Sequence, residues 1–217
     1  MKKAIVLLSS GLDSTVNLYR AIQDLNVVLA LHFNYGQRAA KQERLHAEKT
    51  ALRLKVPFQV VDLPWFSHFS DNSLTNSNKE IVTNVEIASL AASLESAKNV
   101  WVPNRNGIFL NVAAAFAEQL GADYVIPGFN AEEGATFPDN TPEYMMALDE
   151  SFRFSTANHV KTLCYTVNMN KPQIYHLGKE LGVDYSNVWT CYQSFEKPCG
   201  VCESCSRFKN AELSAKK

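Results

Sequence analysis

Two groups of residues in this chain have the types and spacing to do chemistry. The first is the run Ser9-Ser10-Gly11-Leu12-Asp13-Ser14-Thr15, in which hydroxyls and one carboxylate surround a single glycine. It lies between an apolar stretch and a stretch of helical period, so the hydroxyls sit where a helix begins. The first amides of a helix have no internal partner, and its start carries roughly half a positive charge, so such a turn suits phosphate. A Walker A loop would read G-x-x-x-x-G-K-S/T, and no lysine follows Gly11 here. Ser9, Ser14, Thr15 and Asp13 instead suit a departing pyrophosphate accompanied by magnesium. The second group is Cys191, Cys199, Cys202 and Cys205, spaced C-x7-C-x2-C-x2-C with Gly200 allowing a tight turn. Four thiolates in so short a segment point to metal: structural zinc in a closed tetrahedral set, an iron–sulfur cluster as the competing metal, and free or redox thiols as the weakest reading. Cys164 stands apart in an apolar stretch and reads as core. His32, His46, His68, His159 and His176 lack ligand spacing and read as structural.

The elements that must position these groups alternate between strand and helix. Residues 4–8 are a continuous apolar run, the pattern of a central parallel strand covered on both faces. From Ser14, helical spacing of Val16, Leu18, Tyr19, Ile22 and Leu25 predicts a helix with Asp13 and Ser14 as candidate caps. Residues 27–33 and 57–62 read as further strands, with a charged surface helix over 39–55 between them. Residues 65–99 carry a Ser/Asn/Thr cluster and a weakly patterned Ala/Ser stretch, and read as an irregular insertion, chiefly surface loop. Helical spacing of Ile108, Val112, Ala115, Phe116 and Leu120 precedes a strand at 123–127. A helix over 143–154, strand character at 161–168 and a helix from Lys171 stopped by Gly182 complete the pattern. The expected fold is α/β: an open, mainly parallel twisted sheet with helices on both faces, spanning 1–185, plus a small C-terminal four-cysteine lobe over 186–217. Ligands in such sheets sit beyond the carboxyl ends of the strands, so the segments after Leu8, Phe33 and Ile126 are expected to share one crevice.

Bulk composition narrows the functional class. A chain of 217 residues can bury one good core with a small appendage. Its 21 Lys and Arg nearly balance 22 Asp and Glu, leaving no basic footprint for nucleic acid. No apolar run reaches membrane-spanning length, and Met-Lys-Lys leads directly into a strand rather than a signal segment, so a cytoplasmic protein is expected. In that compartment the cysteines argue for thiolates or metal rather than disulfides.

The loop resembles that of the PP-loop ATP pyrophosphatases, whose signature is S-G-G-x-D-S, with Ser10 in the place of the first glycine. Further matches are Asn34-Tyr35-Gly36-Gln37-Arg38, Val102-Pro103-Asn104-Arg105-Asn106, Phe137-Pro138-Asp139, Lys171 ahead of Leu181-Gly182, and Thr190-Cys191-Tyr192 with the C-G-x-C-x-x-C tail. Together they resemble the 7-cyano-7-deazaguanine synthase family. That resemblance implies an ATP-dependent C–N ligase of queuosine biosynthesis, joining 7-carboxy-7-deazaguanine and free ammonia through adenylated acid and amide intermediates, with AMP and diphosphate as by-products. It implies ATP, Mg2+ and structural Zn2+, and a homodimer. Carried onto these positions, Leu8, Ser9, Ser10, Gly11, Leu12, Asp13, Ser14, Thr15 and Arg38 would hold the nucleotide. Asp13, Ser14, Arg105 and Lys171 would be catalytic, Gln37, Asn106 and Asp139 would bind the deazapurine acid, and the four cysteines would hold zinc. The chain departs from the commonest family form, Gly-Tyr-Pro-Asp-Cys-Arg, at residues 136–141, and lacks the Pro-Leu pair before the lysine-bearing helix. Two rival readings are a PP-loop ligase acting on a related acid or a tRNA base, and a zinc-stabilised nucleotide-binding module without catalysis.

Overall fold

The apolar run at the amino end is buried on both faces because it forms the middle of a parallel sheet. In the computed structural model, which describes residues 1–69, 71–87 and 89–215, β1 (Lys3–Leu7) pairs with β2 (Asn26–Asn34) on one side and β4 (Tyr124–Ile126) on the other. β3 (Phe58–Asp62) lies outside β2 and β5 (Lys161–Thr162) outside β4, giving the order β3-β2-β1-β4-β5 with every pairing parallel. The chain leaves β1 toward one edge and later returns to its other side. The loops after β1 and β4 therefore diverge and open a crevice between them.

Period-2 alternation distributes the strand residues between two cores. Ile5, Leu31 and Val125 pack with Leu110 and Phe152 on one face. That face is covered by α5 (Arg105–Leu120) and α7 (Pro142–Ser155). Ala4, Val6, Ala30 and Ile126 pack with Leu18 and Ala47 on the other, beneath α1 (Leu12–Asp24) and α2 (Ala40–Arg53). The outer side of α1 is buried as well: Leu12, Val16 and Tyr19 meet Ile174 and Tyr175 of α8 (Lys171–Glu180) and Ala211 of α9 (Glu203–Ser214). α8 can lie this close because Gly178 has no side chain; a Cβ there would stand 2.5 Å from Tyr185 Oη and 3.0 Å from Val16. Asn170 and Gln173 form a reciprocal capping box at the start of α8, and Gly182, at φ +72°, ends the run. Two one-turn helices, α3 (Phe66–Phe69) and α6 (Ala131–Gly134), and α4 (Leu90–Val100) complete the set. Among the described residues, no helix is long and apolar enough to cross a membrane.

Three expectations are corrected. The residue capping α1 is Gly11, with no side-chain cap, and Asp13 and Ser14 lie inside the first turn. The strand expected over 161–168 pairs only at Lys161–Thr162, because β4 is itself short and the chain then turns away to bond Asn17 and the Phe129 carbonyl. Residues 65–99 are irregular through 71–87 as expected, but they end in a helix and are buried in part. Phe66, Leu74 and Ile81 are buried, and α4, capped by Ser89, turns Ser93, Ser96 and Ala97 inward. Thr83 also bridges Cys202, tying this segment to the C-terminal lobe. A buried face of serine and alanine lacks the large apolar residues that make a helix visible in sequence.

Phe152 is fully buried on α7 in the core beneath β1. Phe152→Ala is expected to cost about 3–5 kcal/mol of unfolding free energy, read from urea denaturation. A loss below about 1 kcal/mol would contradict this packing.

Candidate active site

The cavity lies beyond the carboxyl end of β1, and its floor is the helix start at Gly11. No side chain caps α1, so its first amides remain available. Gly11 has an ordinary φ of −64°, and a Cβ there would meet only Ser9 Oγ, at 3.4 Å. Its smallness keeps the mouth of the loop open rather than relieving backbone strain. Ser14 Oγ donates to Gly11 O at 3.2 Å, accepts from Ser9 N–H at 3.3 Å and lies 3.0 Å from Ser9 Oγ. The two hydroxyls thereby form one edge of the cradle. Gly128, at the exit of β4, closes the other side; a Cβ on it would stand 2.7 Å from Ser14 N.

Above the loop lies an ion triad, with Lys171 and Asp13 largely buried and Glu133 partly exposed. Lys171, the first residue of α8, places Nζ 2.5 Å from Asp13 Oδ2 and 2.8 Å from Glu133 Oε1. Asn130 Nδ2 donates to the same Asp13 oxygen at 3.2 Å, while Asp13 Oδ1 is buried without a hydrogen-bond partner. Burial raises the Asp13 carboxyl to about 6, with Lys171 pulling against it and Glu133 adding to it. Burial also works against the lysine charge, but Asp13 and Glu133 outweigh it, and the ammonium is held protonated beyond the ordinary lysine range. Glu133 is held ionised below its usual value, Lys171 overcoming its burial. The triad is a cation between two carboxylates with one acceptor oxygen left over.

Arg105 forms the far wall. Asn104 takes the left-handed conformation (φ 51°) at the cap of α5, and its side chain lies over Gly107, where a Cβ would come within 2.1 Å of Oδ1. This geometry explains the Asn-Arg-Asn-Gly order and aims Arg105 into the cavity, where Nη1 donates to Tyr35 Oη at 3.0 Å. Phe33 and Phe109 stack beneath Tyr35 with ring centroids 4.2 Å apart.

Most of the site residues expected from sequence meet here. Leu8, Ser9, Gly11, Leu12, Asp13, Ser14, Gln37, Arg38, Arg105, Asn106 and Lys171 line one cavity of about 270 Å3. Ser10 and Thr15 are not among its wall residues. Ser10 is left-handed (φ 70°), the conformation that favours the glycine usual at this place, and its Oγ donates to Trp189 O at 3.4 Å. Thr15 is buried inside α1. Arg38 reaches the wall but donates Nη2 to the carbonyls of Asn76 (2.6 Å) and Lys79, so its charge is committed to the neighbouring loop. Gln37 is a bracket, donating to Phe33 O at 3.1 Å and Glu43 Oε2 at 2.8 Å. Asp139 is not among the wall residues, although its neighbours Phe137 and Asn140 are, and it lies within reach of the Arg105 charge. Sequence reasoning missed Glu43, Glu132, Glu133 and Arg207, all of which line the cavity. Glu132 and Glu133 directly follow the β4 exit already placed at the crevice, and that position was the available signal.

The four cysteines form the second site. All four Sγ atoms lie within 4.8 Å of one another, a group able to hold a metal ion. Gly200 (φ 76°) makes the turn between Cys199 and Cys202, and Cys202 caps α9. Backbone N–H groups of Gln193 and Cys199 donate to Cys191 Sγ at 3.4 and 3.3 Å, and that of Cys202 to Cys199 Sγ at 3.3 Å. Such donors stabilise thiolates.

A hydroxyl-lined, uncapped helix start at the switch point of a parallel sheet defines a PP-loop-type protein. Solved structures share the fold. The 4-thiouridine synthetase–RNA complex with bound ATP superposes with a TM-score of 0.55 at 16% identity, covering 99% of this chain and 50% of that one. The U34-tRNA thiolase NcsA from Methanococcus maripaludis, with its 4Fe-4S cluster, gives 0.51 at 13% identity, covering 99% and 73%. Residues 3–215 match the family described as queuosine biosynthesis protein QueC. The 7-cyano-7-deazaguanine synthase of Bdellovibrio bacteriovorus is 55% identical over 99% of this chain and 94% of its own length. Those of Carboxydothermus hydrogenoformans (48%; 97% and 98%) and Methanosarcina mazei (42%; 96% and 94%) are similar throughout. The chain belongs to the 7-cyano-7-deazaguanine synthase family, enzymes of queuosine biosynthesis.

Glu43 supplies a pH test of the cavity wall. Its burial raises the carboxyl from 4.5 to about 7, against the Gln37 hydrogen bond and the Arg105 charge. The folded state thus keeps a proton that the unfolded chain releases. Glu43 therefore lowers stability progressively as pH rises from 4.5 to about 7. Glu43→Gln is expected to melt higher than the parent at about pH 8, with the gap closing toward about pH 4.5. A gap independent of pH would contradict this placement.

Proposed function

We propose that the cavity binds ATP with its polyphosphate over Ser9, Gly11 and Ser14 and activates first a deazapurine carboxylate and then the resulting amide on the way to the nitrile. The observation that carries this is the convergence on one cavity of the uncapped helix start, the Lys171–Asp13–Glu133 triad and Arg105. Residues of this kind stabilise a leaving pyrophosphate without forming a covalent intermediate. A carboxylate oxygen of the acid attacks the α-phosphorus, the bond to the bridging oxygen of pyrophosphate breaks, and an acyl adenylate remains. Ammonia attacks the acyl carbon, loses a proton and expels AMP, leaving the amide. The amide oxygen then attacks the α-phosphorus of a second ATP, and the bond to its bridging oxygen breaks to release a second pyrophosphate. Loss of the nitrogen-bound protons and of AMP gives the nitrile. Lys171 and Arg105 offset negative charge developing on phosphate. Ser14 and Ser9 offer hydroxyls to its oxygens, and the α1 amides add donors in the same direction.

Magnesium fits the carboxylate pair. Asp13 Oδ1 is a buried acceptor without a partner, and Glu133 lies across the same ammonium. Asp13 and Glu133 would hold the ion, which when bound supplies charge neutralisation to the polyphosphate. Zinc fits the thiolates. Tetrahedral zinc with Zn–S near 2.3 Å sets S···S edges at about 3.8 Å. A cubane cluster, with each thiolate on its own iron, spreads them to about 6 Å or more. The spread within 4.8 Å supports a single ion. The reading takes 1–185 as the catalytic unit and 186–217 as its metal lobe. It also takes a cytoplasmic homodimer using free ammonia and no nucleic acid; the family resemblance and charge balance support these features.

The protein incubated with ATP, ammonium and 7-carboxy-7-deazaguanine is expected to release AMP and diphosphate, two of each per nitrile. Asp13→Ala should abolish release while leaving the circular dichroism spectrum unchanged; ADP and phosphate as products, or an active Asp13→Ala, would contradict the mechanism. Elemental analysis is expected to find one zinc per chain, and iron with inorganic sulfide would overturn that assignment.

A further inference from the structure

We propose that Arg207 is a positioning residue for this reaction, fixing Lys171 from the helix that grows out of the cysteine cluster. Cys202 caps α9 and Cys205 lies in its first turn, so the cluster sets where that helix points. Arg207, one half-turn further on, is largely buried, with 16% of its side chain exposed. Its guanidinium makes four hydrogen bonds, to α4, α6 and α9. Nη1 donates to Glu132 Oε2 at 2.8 Å, Nη2 to Ser93 Oγ at 2.9 Å, and Nε and Nη2 to Glu203 Oε1 at 2.9 and 2.7 Å. Ser96 Oγ donates to the second Glu203 oxygen at 2.5 Å. The second Glu132 oxygen accepts the backbone N–H of Lys171 at 2.8 Å.

Glu132 is therefore a two-ended link, with the catalytic lysine on one carboxylate oxygen and Arg207 on the other. Glu132 sits on α6, a single turn with no buried residue of its own. Packing does little to fix α6; polar bonds hold it, Ala131 N–H to Met169 O, Glu133 to the Lys171 ammonium and Arg207 to Glu132, and of these the Arg207 bonds are the ones that set the Glu132 carboxylate. Releasing them frees Glu132, which frees the start of α8 and with it the direction from which the Lys171 ammonium reaches Asp13. A displacement of about 1 Å in a group facing the reacting phosphate costs on the order of 100-fold in rate. The same lobe backs the phosphate loop from behind: Trp189 N–H donates to Ser10 O at 2.9 Å, and Ser10 Oγ returns a bond to Trp189 O. The lobe holds both halves of the site, the loop through Trp189 and the lysine through Arg207.

The proposal rests on the catalytic reading above, and its test carries a readout that does not. Arg207→Met in the full-length, metal-loaded protein is expected to lower kcat about 10- to 100-fold while KM for ATP stays within about threefold. The metal content should equal that of the parent, and the backbone amide of Lys171 should exchange with deuterium several-fold faster. Added guanidinium ion should restore part of the rate to Arg207→Ala. Arg207→Lys, which can keep one of the bonds, should fall between Met and the parent in both readouts, and it serves if the Met variant does not fold. An Arg207→Met with parental kcat, with unchanged Lys171 exchange, or with its loss of rate matched by loss of metal would overturn the proposal. If the parent itself releases no AMP, the catalytic reading fails, and the exchange rate at Lys171 still decides whether Arg207 positions it.

Discussion

A lysine ammonium enclosed by two carboxylates is the interaction on which the rest of this structure depends. Lys171, Asp13 and Glu133 come from the starts of α8 and α1 and from the turn after β4, segments far apart in sequence. Removing Lys171 leaves two carboxylates facing each other without their counter-charge, at a cost of several kcal/mol, whereas removing either carboxylate leaves a one-to-one pair. The triad thus fixes the separation of the three segments that frame the phosphate loop. It also accounts for the closeness of packing around it. Gly128 must lie against Ser14, and Gly178 must let α8 approach α1, for the lysine to reach.

The C-terminal four-cysteine segment acts on the same constraint from outside. It contributes little to either sheet core, its cysteines packing instead with Trp189, Ile81 and Ala39. Its contacts with the catalytic unit are directed: Trp189 to the loop, α9 to α8, and Arg207 to Glu132. Structural zinc in small lobes contributes on the order of 10 kcal/mol to folding, enough to order a tail with few large apolar residues. On the proposed reading, the parallel sheet supplies the anion site and the cysteine-bearing tail steadies it.

What the sequence made legible was local. Apolar runs revealed β1 and β2, helical spacing revealed α5, and the cysteine spacing revealed the four-thiol group, because each signal is contained within a few turns of chain. The hydroxyl loop was legible for the same reason. The remainder depends on partners distant in sequence. Glu132 and Arg207 look like ordinary surface charges until folding brings them within 2.8 Å across 75 positions. Arg38 has the charge for phosphate, yet two loop carbonyls engage it. α4 hid its identity because its buried face is serine and alanine, chosen to meet the polar Arg207–Glu203 network rather than a hydrocarbon core. The extent of β5 was set by its neighbour β4, not by its own apolar residues.

The central claim is that the start of α1 holds the polyphosphate and directs cleavage between the α and β phosphorus atoms. The most direct test is a crystal structure with magnesium and an ATP analogue carrying a nonhydrolysable α,β bridge. The account predicts the β and γ phosphates against Ser9, Gly11 and Ser14, with the metal on Asp13 and the Lys171 ammonium turned toward phosphate. A polyphosphate lodged away from this loop, with the Lys171–Asp13–Glu133 triad undisturbed, would contradict it.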